Sequence, residues 1–237
     1  MTTPALAENV KGKGRHYRHP VTGELVPSVT NIIGVLNKPA LPRWAAKVVA
    51  EQAVAMRDSL PKLDEAEAID LLKSSPWRSS KRASDRGTTI HSYLEARMQG
   101  LDPQEISGEA ARYRKAADAW LSDWEPEPVQ VELTVFGPDY AGTGDLWCRP
   151  KGGGICLVDY KTSKAIYPEA ALQLAALAHA TLDPDGNTPP KVDAAWVVRI
   201  GEDGYEAKRV ADLDYNYQAF RACLQAWHWM NGEKVYA

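Results

Sequence analysis

The feature that most constrains the fold is a change of hydrophobic period about halfway along the chain. In the first half, apolar residues recur at helical spacing, as in the stripe formed by Ala83, Gly87, Ile90 and Leu94. In the second half, residues 129–135 alternate strictly between apolar and polar side chains, which is typical of a half-buried strand. The sequence therefore predicts a helical region followed by a sheet.

The predicted elements follow that order. A turn or short hairpin at residues 21–30 leads into a short helix that a serine or threonine caps. Longer helices are predicted at residues 42–58, 64–74, 80–98 and 108–124. Three strands, a helix, two strands and a closing helix follow at residues 129–135, 145–149, 155–161, 168–181, 192–200, 204–210 and 212–229. We expect an α/β fold in which a central mixed sheet is flanked by helices, with an N-terminal helical region.

Length and composition limit the class of protein. A chain of 237 residues is long enough for one substantial core, and 25% charged residues are ordinary for a globular protein. No apolar stretch approaches the roughly 20 residues of a membrane helix, and the N-terminus lacks the pattern of a signal peptide. We expect one compact domain, made of a basic arm at 1–26, a helical region at 27–125, and the sheet with its closing helix at 126–237.

The cysteines and the net charge restrict compartment and partners. Cys148, Cys156 and Cys223 show no CxxC spacing and no even count, so they predict no disulfide framework and a reducing, cytoplasmic compartment. The formal net charge of −3 does not by itself indicate a nucleic-acid partner. Local basic patches at residues 11–19 and 78–86 do suggest phosphate contacts.

The basic patches supply the candidate contacts to DNA. The patch at residues 11–19 is equally consistent with a disordered arm, and the patch at residues 78–86 with the solvated start of a helix. The residues concerned are Arg15, Arg18, Arg78, Lys81, Arg82 and Arg86.

The strongest chemical signal is an acidic pair with a lysine. Asp145 follows a glycine-rich bend, and the apolar strand after it ends in Asp159, Tyr160 and Lys161. Because side chains alternate along a strand, Asp159 and Lys161 are expected on one face and Tyr160 on the other. Carboxylate oxygens at one edge of a hairpin suit Mg²⁺ or Mn²⁺, and a nearby lysine can steady a developing negative charge. An ordinary surface ion pair remains the alternative.

Four further residues complete the predicted site. Glu132 alternates with the apolar residues of its strand and so brings a third carboxylate toward Asp145. His91 and Glu95 are four residues apart on a predicted helix and share a face. Gln173 is a polar residue in an apolar helix that follows the lysine. Each has a plainer explanation, as an exposed glutamate, a packing histidine or a solvent-facing glutamine.

Taken together, these motifs resemble the PD-(D/E)xK nuclease superfamily in its RecB/Cas4-like branch. Gly142-Thr-Gly-Asp145 with Asp159-Tyr-Lys161 matches the defining motif, and residues 86–95 resemble the upstream histidine motif. Glu132 lies where a strand glutamate is often found, and Gln173 lies where the Q-xxx-Y motif begins. Residues 27–34 and 41–44 are also similar to phage-encoded exonucleases, particularly those of actinobacterial phages. The resemblance covers roughly residues 27–181.

The chain departs from that branch at two points. Leu177 stands where the Q-xxx-Y motif has its tyrosine, so any contact of that hydroxyl is absent. The cysteines that hold an iron–sulfur cluster in Cas4 proteins are also missing, since no cysteine precedes Cys148 and Cys223 alone follows the core. We therefore expect no iron–sulfur cluster.

The resemblance implies a restriction-endonuclease-like core and a Mg²⁺- or Mn²⁺-dependent deoxyribonuclease. It implies one or two ions, held by His91, Asp145, Asp159 and the carbonyl of Tyr160. Lys161 would help to deprotonate or position the attacking water and would offset charge in the transition state. Glu132 would act as a further metal ligand or as support, and Glu95 and Gln173 would be supporting residues.

The implied activity is exonucleolytic cleavage from DNA ends in phage recombination or DNA processing. A single-strand annealing protein is the expected partner, the host cytoplasm is the expected location, and no membrane association is expected. A structure-specific or nicking endonuclease on the same fold is one alternative. A catalytically inactive DNA-binding module is the other, although the intact aspartates and lysine argue against it.

Overall fold

The structure is a computed structural model that describes residues 4–151 and 153–232. In chain order the strands are β1 (Ala7–Val10), β2 (Gly14–Arg18), β3 (Leu25–Pro27), β4 (Glu127–Phe136), β5 (Ala141–Arg149), β6 (Cys156–Lys161), β7 (Ala194–Gly201) and β8 (Gly204–Arg209). The α-helices are α1 (Val29–Ile33), α2 (Ala40–Ala55), α3 (Glu65–Lys73), α4 (Ser75–Met98), α5 (Ala111–Trp124), α6 (Glu169–Ala178) and α7 (Leu213–Asn231). Short 3-10 helices lie at Leu60–Lys62 and Gly108–Ala110.

The described chain folds as two units. The larger comprises Met1–Leu36 and Thr88–Ala237, and the smaller comprises Asn37–Gly87. The smaller unit is helical, and its α3 begins with a capping box in which the Asp64 carboxylate accepts a hydrogen bond from the amide of Glu67. None of the helices in the described part of the chain combines the length and apolar character that crossing a bilayer requires.

A five-stranded mixed sheet forms the centre of the larger unit. Its strands lie in the order β4-β5-β6-β7-β8, and β6 pairs with β7 in parallel while the other neighbouring strands pair antiparallel. The connection between β6 and β7 contains α6, as a parallel pair requires. The predicted α/β fold, with a central mixed sheet flanked by helices, is confirmed.

Alternation along the strands divides the core into two layers, one on each face of the sheet. On one face, Trp147 and Leu157 pack with buried residues of α1, α6 and α7. On the other, Leu146 and Val158 pack with buried residues of α4 and α5. Because neighbouring strand residues point to opposite faces, a strand buried on both faces is apolar almost throughout, which explains the unbroken apolar run that precedes Asp159.

The N-terminal segment forms a second, three-stranded antiparallel sheet in the order β1-β2-β3. The sequence pattern predicted a turn or hairpin at residues 21–30 but neither β1 nor β2. These strands are short, and glycines with positive φ (Gly12 and Gly14, +76° and +74°) make the turn between them. Strands of four and five residues rich in polar side chains carry too little periodic signal to be recognised.

Candidate active site

The site begins where the pairing of β5 with β6 ends, next to the Leu146–Val158 pair. Asp145 lies in β5, and its Oδ2 accepts a hydrogen bond of 2.6 Å from the backbone amide of Tyr160 in β6. The Tyr160 side chain points away from that hydrogen bond into the core, where its ring packs at 5.2 Å from the ring of Trp120. The backbone of β6 therefore fixes the orientation of the Asp145 carboxylate.

Lys161 lies between an aspartate and a glutamine. Its Nζ lies 2.9 Å from Oδ1 and 2.7 Å from Oδ2 of Asp159, and it donates a hydrogen bond of 3.1 Å to Oε1 of Gln173 in α6. The predicted placement of Asp159 and Lys161 on one face of the strand is thus confirmed. Asp159 is almost fully buried, with a side chain that is 3% exposed, whereas the Lys161 side chain is 31% exposed. The ammonium group therefore remains open to a ligand on one side.

A second group joins three elements that are distant in sequence. One ligand atom from each of His91 in α4, Glu132 in β4 and Asp145 in β5 lies within 4.8 Å of the others. Nδ1 of His91 lies 3.5 Å from Oδ1 of Asp145. Among the described residues this is the group with metal-ligand geometry, and Asp159, which is paired with Lys161, is not a member of it. This group shares His91 and Asp145 with the predicted ligands and includes Glu132, which was predicted as a further ligand or support, whereas the predicted ligand Asp159 lies outside it.

The carboxylates alter the protonation of their neighbours. Burial by itself lowers the pKa of His91, but the Asp145 carboxylate more than offsets this and raises that pKa to about 9. Burial, together with the negative charge of Asp145, raises the pKa of Glu132 to about 8. Burial opposes the charged form of Lys161 too, yet Asp159 and Asp145 hold the pKa of this lysine above its ordinary value. Lys161 is consequently an ammonium ion throughout the neutral range.

The metal-free site therefore holds two protons that a cation must displace. At pH 7 we expect His91 and Glu132 to be protonated, and both protons must leave before these residues bind a metal ion. Apparent Mn²⁺ affinity should rise by about tenfold per pH unit for each displaced proton, until the pH passes about 8 for Glu132 and about 9 for His91.

Calorimetric titration of Mn²⁺ from about pH 7, where both groups are protonated, to about pH 9, in two buffers that differ in ionisation enthalpy, measures both the affinity and the number of protons released. A Glu132→Gln variant should release fewer protons than the parent protein. An affinity that does not change with pH would contradict the assignment.

Glu132 has a strained backbone. The neighbouring pairs Val131–Leu146 and Leu133–Gly144 place Glu132 opposite Asp145, yet its φ is +53°, in the left-handed region that residues with a Cβ rarely adopt. Such strain costs about 1–3 kcal/mol and is found mainly at functional sites. Here it accompanies a buried carboxyl group that faces Asp145.

Replacing Glu132 with glycine should therefore stabilise the protein while it removes a ligand. Glycine adopts a positive φ without steric cost, so we expect the free energy of unfolding to rise by about 1 kcal/mol in the absence of metal. Chemical denaturation of this variant should be compared with Glu132→Gln, which keeps the strain and loses the charge. A glycine variant less stable than the glutamine variant would show that the left-handed backbone is not strained.

A cavity of about 450 Å³ opens over the three-residue group. Its floor includes His91, Glu132, Asp145 and Gln173. Its wall comes from the N-terminal sheet and from the start of α1, through Asn9, Arg15, Tyr17, Ser28 and Thr30. The helix α1 begins at Ser28, whose hydroxyl accepts from the amide of Asn31 and so caps it.

Other residues that were predicted to support the site or to contact DNA lie outside the three-residue group. Glu95 is buried one helical turn after His91, and its charge contributes to the raised pKa of Glu132. Arg18 forms an ion pair of 2.9 Å with Glu8 and donates to the carbonyl of Gly23, so its guanidinium is engaged within the N-terminal sheet. The predicted ligand role of the Tyr160 carbonyl stays a prediction.

The second basic patch lies in the smaller unit. Arg78 donates to the carbonyl of Leu71, and Lys81 pairs with Asp85 at 2.9 Å. Arg82 is exposed and Arg86 is half-buried. DNA contact by these residues stays a prediction.

The sequence patterns missed the threonines beside Asp145. Thr143 lies two residues before it and shares hydrogen bonds with Thr134 at 3.0 Å and with the Tyr17 hydroxyl at 3.3 Å. This chain of hydroxyl groups joins β4, β5 and β2. Only the Gly142-Thr-Gly-Asp145 motif itself draws attention to Thr143, and it gives no indication of Tyr17.

Comparison with known proteins shows a distant structural likeness. No model of a known protein family and no curated protein matches the chain. Its structure is similar to the crystal structure of an alkaline exonuclease, LHK-Exo, from Laribacter hongkongensis, with a TM-score of 0.32 and 15% identity over 65% of this chain and 87% of that chain. The structure of LHK-Exo in complex with dAMP gives a TM-score of 0.29 and 15% identity, over 64% and 87% of the two chains.

The crystal structure of a protein named SSO0001 is similar at a TM-score of 0.30 and 11% identity, over 59% of this chain and 74% of that chain. A likeness at this level identifies neither a family nor an activity. The function of this chain is therefore inferred from the geometry of its site.

Proposed function

We propose that this protein is a metal-dependent deoxyribonuclease that hydrolyses phosphodiester bonds from DNA ends. The observation that carries the proposal is that two groups lie close together where the pairing of β5 with β6 ends. One is the potential metal-binding group of His91, Glu132 and Asp145, and the other is the Lys161 ammonium held between Asp159 and Gln173. Neither group alone would distinguish an active site from a structural ion pair.

The donor set fits a divalent cation that prefers oxygen ligands. Two carboxyl groups and one imidazole nitrogen, all partly buried, are ligands suited to Mn²⁺, and the carboxylates also suit Mg²⁺. Burial, and after it the negative charge of Asp145, raise the pKa of Glu132, and a bound cation would favour the charged form of this carboxyl group. A bound ion would polarise a phosphoryl oxygen and lower the pKa of a bound water.

The protein's own residues have separable roles in this proposal. Asp145 would be a metal ligand at the cavity, and the Tyr160 amide holds its carboxylate in place. Lys161 keeps its proton in the neutral range, so its role is to position the attacking water and to stabilise the negative charge that develops on the phosphate. Gln173 and Asp159 hold the lysine in place, since each accepts a hydrogen bond from its Nζ.

Action on DNA ends, within phage recombination or DNA processing and beside a single-strand annealing protein, is the finer part of the proposal. It is supported by the motifs in residues 27–181 that resemble phage-encoded nucleases. The local concentration of cations in the first patch, at residues 11–19, supports a nucleic-acid substrate despite the net charge of −3.

A digestion assay tests the proposal. Linear duplex, linear single strand and covalently closed circular DNA are incubated with the protein and Mg²⁺ or Mn²⁺, and in parallel with EDTA. Metal-dependent loss of the linear substrates alone is the expected result. Cleavage of the circle would identify an endonuclease, and intact DNA in every reaction would overturn the proposal of a nuclease.

A further inference from the structure

We propose that the β1–β2 hairpin is a clamp for the sugar–phosphate backbone of the DNA strand in the cavity. In this clamp, which rests on the proposed function, Arg15 contacts a phosphate beside the scissile one and Asn31 is a positioning residue that holds Arg15. The contact is an ionic one between a guanidinium and a phosphate oxygen, so it distinguishes nucleic acid from uncharged substrates but not one base from another.

The face of the hairpin that carries Arg15 lies against β5, the strand that contains Asp145. Arg15 and Tyr17 are two residues apart in β2 and therefore share a face, and Arg15 pairs directly with Asn9 of β1. The Tyr17 hydroxyl hydrogen-bonds Thr143, two residues before Asp145 in β5. Asn9, Arg15 and Tyr17 line the cavity above the metal-ligand group. The hairpin thus presents one cation to the entrance of the site.

The position of Arg15 is fixed through its backbone. The Arg15 carbonyl accepts one hydrogen bond from the amide of Ser28 at 3.1 Å and another from Nδ2 of Asn31 at 2.8 Å. Nδ2 of Asn31 also donates to the carbonyl of Lys13 at 2.9 Å. A Cβ added to Gly14 would lie 2.9 Å from the Asn31 amide, so the turn packs closely against α1. Asn31 therefore fastens the hairpin to the helix that borders the cavity.

The guanidinium of Arg15 is available for a ligand. Within the described part of the chain it forms no ion pair or hydrogen bond, whereas Arg18 on the same strand is engaged by Glu8. Lys11 and Lys13 at the turn are exposed as well. A phosphate approaching the Asp145 carboxylate meets negative charge, and a nearby cation offsets that repulsion. Arg15, whose guanidinium pairs with none of the described residues, is therefore placed to bind a phosphate of the substrate beside this carboxylate.

Binding of DNA without metal tests the clamp separately from cleavage. Fluorescence anisotropy with a labelled DNA single strand in EDTA is measured between about 50 and 200 mM salt. For Arg15→Ala we expect affinity to fall about five- to tenfold and the slope of log K against log salt to shrink by about 0.7. Arg15→Lys should keep the slope. Arg209→Ala, which removes an arginine from the far edge strand β8, should change neither quantity.

Asn31→Ala distinguishes a positioning role from a purely structural one. We expect it to weaken DNA binding to a similar extent in the parent protein and to add little in the Arg15→Ala background, since both changes remove the same contact. Additive losses in the double variant would overturn the positioning role of Asn31. Unchanged affinity and salt slope in Arg15→Ala would overturn the clamp, whether or not the protein cleaves DNA. Parent protein that binds DNA through Arg15 but never cleaves it would overturn the proposed function alone.

Discussion

Replacing Lys161 with alanine is expected to lower the rate of cleavage of linear DNA by about a thousandfold or more. The ammonium group lies within 3.1 Å of both Asp159 and Gln173, and both side chains accept hydrogen bonds from it. Its pKa is raised by the neighbouring carboxylates, so it carries its charge throughout the neutral range in which cleavage would be assayed. Alanine removes the charge that, in the proposed reaction, faces the phosphate in the transition state. Initial rates with Mn²⁺ and a labelled linear duplex measure the effect.

The Lys161→Ala variant also leaves Asp159 buried without its partner. Breaking a buried ion pair costs about 3–5 kcal/mol of stability, so the folded fraction must be measured beside the rate. A Lys161→Ala, Asp159→Asn double variant removes the uncompensated charge and should regain stability without regaining activity. The affinity of the Lys161→Ala variant for DNA in EDTA should be close to that of the parent protein. A folded Lys161→Ala variant that retains cleavage would refute the role assigned to this lysine.

Replacing Asp145 with asparagine is expected to abolish metal binding. Asparagine has nearly the same shape, and its carbonyl oxygen can still accept the hydrogen bond from the Tyr160 amide, so the strand pairing should persist. The variant nevertheless loses the central negative charge of the His91–Glu132–Asp145 group. Since a ligand that binds only the folded protein stabilises it, Mn²⁺ should raise the Tm of the parent protein and leave that of the variant unchanged.

A matched control separates this effect from a general loss of negative charge. Asp139 is a surface aspartate that pairs with Arg221 at 3.5 Å, outside the metal-ligand group. Asp139→Asn should retain the full Mn²⁺-induced rise in Tm and the metal-dependent cleavage. The pKa of His91 should also fall in Asp145→Asn, because the Asp145 carboxylate is the main group that raises it, and NMR titration of the imidazole would detect this. Full stabilisation of Asp145→Asn by Mn²⁺ would exclude this residue as a ligand.

The local patterns of the chain predict its elements well. Helical spacing identified α4 and α5, and strict alternation identified β4, within a few residues of the ends that the structure gives them. The same alternation placed Asp159 and Lys161 on one face, where the lysine meets the aspartate at 2.9 Å. These features depend on residues a few positions apart, and such short-range geometry is a direct consequence of 3.6 residues per helical turn and two per strand repeat.

The tertiary structure determined which side chains of the candidate site come into contact. His91 is more than fifty positions before Asp145, and its ring comes within 3.5 Å of that carboxylate because α4 packs against the sheet to which β5 belongs. Glu132 lies beside them and has a left-handed backbone conformation, which the periodic pattern of the strand does not predict. The basic segment at residues 11–19 gave no sign of forming a hairpin, because its strands are short and polar. Its hydrogen bond to β5, from Tyr17 to Thr143, joins residues that are far apart in the sequence. By itself the sequence determined the elements and the chemical groups that they carry, because both are local properties. Which of those groups meet was decided by packing between distant segments, whose free energy depends on the complementary shapes of whole helices and strands.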